Sequence, residues 1–289
     1  MKSVLSLYSG FLFSIAATLI LPSKSLELSA SPNPQQSFLL QQSARSLGVA
    51  GAYTAIADDR SSFYLNPAGL SRFAEKRSLS FQGGSRERWK NWSLGASFVD
   101  GITEDPLQWG FSFDTTSFPA LRQDRYSLAT SFRLWDFFRL GVVHHLVYLG
   151  RSFDDWFYQL DAGAIILLGD HFLVGSRMGS AMKASDKFDF SERELRSGVS
   201  FNSLNFRLGS DFVYGFKTKG KSFQTGIEYL THDFLTARAG YQYSQFTKKH
   251  AYSFGSSVKV EEQFSVDTGF IDFIKSSEFA CLGSISFSF

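Results

Sequence analysis

Five histidines, His144, His145, His171, His232 and His250, are the side chains best suited to proton transfer or metal binding. None has a serine or carboxylate in a recognisable hydrolase motif, and no His/carboxylate cluster or glycine-rich phosphate loop accompanies them. Cys281 is the single cysteine, which excludes an internal disulfide and a cysteine metal cluster. It reads as a small strand residue. Charges at recurring positions are more telling. Arg133, Asp161, Arg177, Arg207, Asp211, Glu228, Arg238 and Asp267 all fall on the parity of their segments that also carries glycine and serine. They form either a mutually neutralising network or a path for an anionic group, and single-sign clustering would be needed for the second. Asn66-Pro67-Ala68-Gly69 reads as a rigid turn, with Asn66 starting the bend and Pro67 fixing φ.

The segments that carry those charges alternate with period two. In Arg125 to Leu134, Tyr126, Leu128, Phe132 and Leu134 face one way, against Arg125, Ser127, Ala129, Ser131 and Arg133. Leu204 to Tyr214 and Leu107 to Phe113 repeat the pattern. The remaining strands are expected near 78–84, 92–99, 138–149, 157–168, 172–181, 194–201, 223–229, 235–243, 251–258, 264–271 and 279–289, fourteen in all.

A soluble sandwich alternates too, so the solvent must be decided otherwise. The polar parity holds glycine in nearly every strand: Gly95, Gly110, Gly141, Gly163, Gly175, Gly198, Gly209, Gly226, Gly240, Gly255 and Gly269. The apolar parity is continuous over all strands, more than one soluble core absorbs. Links at Trp135-Asp136, Gly169-Asp170, Asn202-Ser203 and 230–234 are tight. Those near 85–91, 115–124, 150–156, 182–193, 215–222 and 244–250 read as longer and polar. An all-β, fourteen-stranded antiparallel transmembrane barrel with small polar residues inward meets every one of these conditions. On that reading His144-His145 straddles the wall, and one imidazole meets lipid unless a bulge intervenes.

Composition agrees. The chain has 289 residues, with 32 Phe, 11 Tyr, 5 Trp and 24 Gly but only 6 Pro. A net charge of +2 argues against nucleic acid as partner. Residues 1–25 read as a secretory signal peptide: Lys2, an apolar run from Val4 to Leu21, then Ser23-Lys24-Ser25, with cleavage after Ser25 and Ala30 as the alternative. Ile285, Phe287 and Phe289 alternate with serines to the last residue.

Residues 26–76 break the alternation and precede a barrel spanning 77–289. Their small residues, from Ala44 through Asp59 and on to Leu70, suit close packing in a glycine-lined lumen, so they are expected to form a plug. Asp58 and Asp59 either anchor that plug to luminal cations, with Arg133, Arg207 and Arg238 as partners, or form a solvated turn. This run resembles the N-terminal hatch of the FadL-type outer-membrane transporters of long-chain fatty acids and of their PorV-like relatives. Gly48, Gly51, Ala57-Asp58-Asp59 and Asn66-Pro67-Ala68-Gly69 carry the likeness, and Gly226-Ile227-Glu228-Tyr229 with Arg238-Ala239-Gly240-Tyr241 is closer to the PorV-like branch.

The resemblance implies an outer-membrane barrel without cofactor or catalytic residues. It implies passive transport of a hydrophobic molecule, long-chain fatty acid first, gated by the hatch at Asn66 to Gly69. The alternative it implies is a barrel that anchors or presents secreted partner proteins and transports no lipid. Ile285, Phe287 and Phe289 resemble the signal read by the barrel-assembly machinery. Basic loop residues (Arg86, Arg88, Lys90, Lys217, Lys219, Lys221, Lys248 and Lys249) are candidates for contacting outer-membrane lipid phosphates.

Overall fold

The computed structural model describes residues 42–72, 77–86, 91–101, 106–119, 121–150, 154–182, 193–216, 218–245, 248–261, 263–274 and 279–289. The signal-peptide reading, the first part of the plug segment, and Arg88, Lys90 and Lys217 lie outside them.

Segments in which aromatic and β-branched residues alternate with Gly and Ser have no helical face to bury, and they pair as strands. Fourteen form: β1 Arg77–Arg86, β2 Asn91–Asp100, β3 Leu107–Ser117, β4 Arg122–Trp135, β5 Phe138–Gly150, β6 Asp155–Leu168 and β7 Phe172–Met182. They continue as β8 Arg193–Asn202, β9 Phe206–Gly215, β10 Lys221–His232, β11 Leu235–Ser244, β12 Lys249–Glu261, β13 Phe264–Phe273 and β14 Phe279–Ser288. Each pairs antiparallel with its sequence neighbour, and β14 pairs with β1 to close the barrel. Closure leaves no strand edge unpaired, the condition for crossing hydrocarbon.

The two faces separate as period two demands. On β12, Phe254 is 62 % exposed while its neighbour Ser253 is fully buried. Phe81, Leu128, Leu208, Phe212 and Phe270 stand on the same outer surface, an apolar band for lipid contact. Ile285, Phe287 and Phe289 also point outward, and the Phe289 amide donates to Arg77 O at 2.9 Å.

Two expectations are corrected. β9 starts at Phe206, because Ser203 N donates to Phe206 O (2.8 Å) and turns the chain, leaving Leu204 93 % exposed. The links between β3 and β4 and between β5 and β6 shrink to 118–121 and 151–154, because polar residues keep pairing past the expected strand ends, Thr115 opposite Asp124 and Ser117 opposite Arg122 among them. The three register shifts, at Arg133/Trp135, Leu230/His232 and Lys259/Glu261, all lie beside tight turns.

Residues 42–72 sit inside the barrel. A short helix, α1 (Ala44–Gly48), leads into two 3₁₀ turns at Arg60–Phe63 and Pro67–Arg72. Tyr53, Phe63, Tyr64, Leu65 and Leu70 are almost completely buried there.

Candidate functional site

The seat of the plug is a belt of wall glycines. Gly141 and Gly163 are directly opposite on β5 and β6. A Cβ on Gly141 would lie 2.3 Å from the Pro67 carbonyl carbon, and one on Gly163 would lie 2.1 Å from Asn66 Oδ1. Gly175 meets Thr54, Gly209 meets Ala52, Gly226 and Gly240 meet Val49, and Gly269 meets Ala44 at comparable range. The plug therefore touches wall backbone through much of the circumference, which any larger side chain would prevent.

Local chemistry sets the plug's own shape. Ser43 caps α1 by accepting from Ser46 N (3.1 Å). Gly51 has φ +80°, and a Cβ there would stand 3.0 Å from Gln224 Oε1. A Cβ on Gly69 would overlap Ala57 O, and one on Gly48 would press on Gly255. Asn66 Nδ2 donates to Thr54 O (2.9 Å) and to Ala164 O of β6 (3.0 Å), while its Oδ1 accepts from Ala68 N (3.2 Å). Ser131 Oγ of β4 donates to Ala68 O at 3.1 Å. The Asn66 turn thus bonds both the plug and the wall.

Ion pairs complete the attachment. Arg45 of α1 donates to Glu228 through Nε and Nη2, both at 2.7 Å, and to Asp58 at 2.8 Å. Arg207 donates to Asp58 at 2.7 Å, and Arg238 donates to Glu228 at 2.7 Å and approaches Asp267 at 3.1 Å. On the far side, Arg60 donates to Asp114 (2.7 Å), which also takes the Tyr64 hydroxyl. Burial alone would raise the Asp58 carboxyl, but Arg45, Arg207 and Arg72 hold it well below the usual carboxylate range. Burial raises Asp59 against the pull of Arg45 and the Ser61 hydrogen bonds.

All eight charges expected on the polar parity do face the lumen, with Arg133 and Arg207 half-buried. Signs alternate through Arg45, Asp58, Arg207, Glu228, Arg238 and Asp267, so this cluster neutralises itself. Glu228 and Arg238 are directly opposite on β10 and β11. Asp58 has the anchoring role with Arg207, whereas Asp59 caps the first 3₁₀ turn at Ser61 N (2.8 Å) and accepts from Ser43 Oγ (2.9 Å). The ion pairs of Asp58 are with Arg45 and Arg207.

Sequence reasoning passed over Arg45, Arg60, Asp114 and Arg196. The inward parity of Asp114 and Arg196 marks them, but the plug partners of Asp114 are distant in the chain, and Arg196 pairs with Glu194 and Asp211 within the wall. His144 and His145 do split across an unbroken register, with His145 inward. His145 Nδ1 is 2.7 Å from Ser127 Oγ, and its ring stacks on Tyr64 with centroids 6.2 Å apart. Asp161 lies 3.5 Å from His145 Nε2 but is committed to Arg177 (Nε donor, 3.0 Å). No cluster of three or more metal-ligating side chains occurs among the described residues.

Apolar clusters interrupt a lumen that is otherwise lined by polar side chains such as Arg86, Asn91, Thr116 and Gln123. Toward the loop end, Phe118, Leu121, Val147, Leu149 and Phe157 pack together, and Ile271, Leu282 and Ala280 pack with Leu47 of α1. Toward the tight-turn end lies a cavity of about 580 Å³, lined by Arg45, Asp58, Arg207 and wall serines such as Ser78, Ser257 and Ser284.

No family model matches the chain, and no curated protein matches it. Solved structures do. The CymD monoaromatic hydrocarbon channel is 14 % identical with TM-score 0.73, over 87 % of this chain and 98 % of that one. The Ralstonia pickettii toluene transporter TbuX is 14 % identical with TM-score 0.68, over 86 % and 99 %. A Pseudomonas aeruginosa FadL homologue is 10 % identical with TM-score 0.63, over 86 % and 98 %. The chain shares the fold of these barrels.

Proposed function

We propose that this chain is a bacterial outer-membrane barrel, not an enzyme, through which small hydrophobic molecules pass without energy coupling. The observation that carries this reading is the apolar patch of Phe118, Leu121, Val147 and Leu149, turned inward at the loop end of a closed barrel whose lumen the plug fills. An apolar solute gains by leaving water for the loop-end surface, and the plug stands between it and the far side. Support comes from the fold shared with channels whose names specify toluene and monoaromatic hydrocarbons. Long-chain fatty acid is the substrate the hatch resemblance implies, and monoaromatic hydrocarbons stand beside it. Gating would fall to Asn66-Pro67-Ala68-Gly69, where plug meets wall. Recognition of Ile285, Phe287 and Phe289 by the barrel-assembly machinery belongs to the same proposal.

One observation favours the second reading, a barrel that anchors secreted partners and transports nothing. The plug is bonded on several sides, and every strand of the described wall pairs with both neighbours, with register shifts only beside tight turns. Uptake of labelled oleate and labelled toluene by a host lacking its own transporters separates the two. Uptake of either above the empty-vector level supports passage and names the class. No uptake of either from a correctly inserted barrel favours the anchoring reading.

A further inference from the structure

His144 is the central residue of β5 and faces outward, where hydrocarbon is expected. A polar side chain at that depth is costly and calls for a partner. Its Nδ1 has one, the Tyr158 hydroxyl of β6 at 2.5 Å. Among the described residues no group bonds its Nε2. Whichever tautomer holds, the imidazole–phenol pair is left with hydrogen-bonding capacity that lipid tails cannot meet.

The pair borders a pocket of about 190 Å³ on the outer wall, walled by Phe111, Tyr126, Leu128 and Leu146 and floored by the strand at Ser127 and His145. An apolar cavity of about 150 Å³ suffices to hold benzene, so one substituted ring fits. Aromatic rings also pack favourably against aromatic walls in offset or edge-to-face contact. The floor is unbroken, with Ser127 opposite His145 and Leu128 opposite His144. The pocket is therefore reached from the bilayer and not from the lumen.

We propose that this pocket binds a lipid-dissolved ring compound carrying one hydrogen-bonding group, the phenol class, with the ring between Phe111, Tyr126 and Leu146 and the polar group on the His144–Tyr158 pair. The proposal is independent of passage through the lumen. The competing occupant, a lipid acyl chain, can fill the apolar walls but leaves the imidazole unsatisfied.

Photolabelling tests it on the whole protein in phosphatidylcholine nanodiscs, with 3-azidophenol as probe, azidobenzene as the analogue lacking the hydroxyl, and phenol as competitor. Labelled peptides are identified by mass spectrometry, and folding of each variant is checked by heat-modifiable migration. Expected is saturable labelling on β4, β5 and β6 that phenol displaces, with azidobenzene needing about fivefold more probe for the same occupancy, the worth of about 1 kcal/mol. His144→Leu should erase that difference between probes, and Leu128→Trp should fill the pocket and abolish the saturable labelling. Labelling that rises linearly and marks Phe254 and Phe270 equally would overturn the site. Saturable labelling that treats both probes alike, or ignores His144→Leu, would overturn the recognition of the polar group.

Discussion

Asn66 and Gly163 are in contact such that neither can change alone. The Asn66 carboxamide fills the space a Cβ on Gly163 would need, with 2.1 Å between that Cβ and Oδ1. Its Nδ2 reaches Ala164 O, one residue along the same strand. The wall is shaped by a missing side chain, and the plug turn is shaped to use it.

Gly163→Ala should therefore lower stability by about 1–3 kcal/mol, the usual cost of overpacking. Gly283→Ala is the matched control, because a Cβ there points outward with nothing nearer than 3.9 Å. The temperature at which heat-modifiable gel migration is lost should fall for the first variant and hold for the second. Equal midpoints would mean the plug yields freely at this contact.

Asn66→Ala removes the donor to both Thr54 O and Ala164 O. At about 1 kcal/mol for each net hydrogen bond, the turn loses about 2 kcal/mol of its hold. Single barrels in a planar bilayer should then show conducting events that the wild type lacks. A silent variant would place the hold on the plug elsewhere.

Glu228 accepts from Arg45 of the plug and Arg238 of the wall. Glu228→Gln takes one of two carboxylate partners from each guanidinium, leaving Arg45 on Asp58 and Arg238 on Asp267, and should cost about 1–3 kcal/mol. Unfolding midpoints in urea should fall accordingly. A double-mutant cycle with Arg45→Gln should return coupling well above the value of a solvent-exposed pair, about 1 kcal/mol or less. Additive effects would show that the pair merely fills space.

What the sequence made legible was whatever repeats locally. Gly163 and Ile165 share a parity visible over ten residues, so strand number and inward charges follow from reading along the chain. Leu204 was misplaced because alternation cannot see the Ser203 to Phe206 turn bond. The shift at Leu230/His232 leaves no mark in composition, so the exact facing of Glu228 and Arg238 comes from the register alone. Arg45 meeting Glu228, and Arg60 meeting Asp114, are contacts between residues far apart in the chain, chosen by the fold among several acids of equal merit. The His144–Tyr158 pair was half legible: the alternation put an imidazole in lipid, and only the register gave it a phenol.

The two neighbouring plug carboxylates should respond to acid in opposite senses. Asp58 is held below its unfolded value of 3.8 by Arg45, Arg207 and Arg72 once burial is outweighed. Its contribution is complete above that value and is lost as pH falls through the lower folded value. Asp59 is raised by burial, so its ionised form opposes the folded state at neutral pH, and that cost is relieved as pH falls through the raised folded value. Asp59→Asn should accordingly keep the plug in place or tighten it at pH 7, because Asn also caps and the Ser43 hydroxyl can turn to accept. Asp58→Asn should loosen it, because Arg45 and Arg207 lose a charge they share. Bilayer conductance from pH 7 down to about 3 reads both: a wild type silent until well below pH 4, an Asp58→Asn barrel conducting already at pH 7, and an Asp59→Asn barrel as silent as the wild type. Conductance appearing in the Asp59 variant alone would reverse the assignment of anchor and cap.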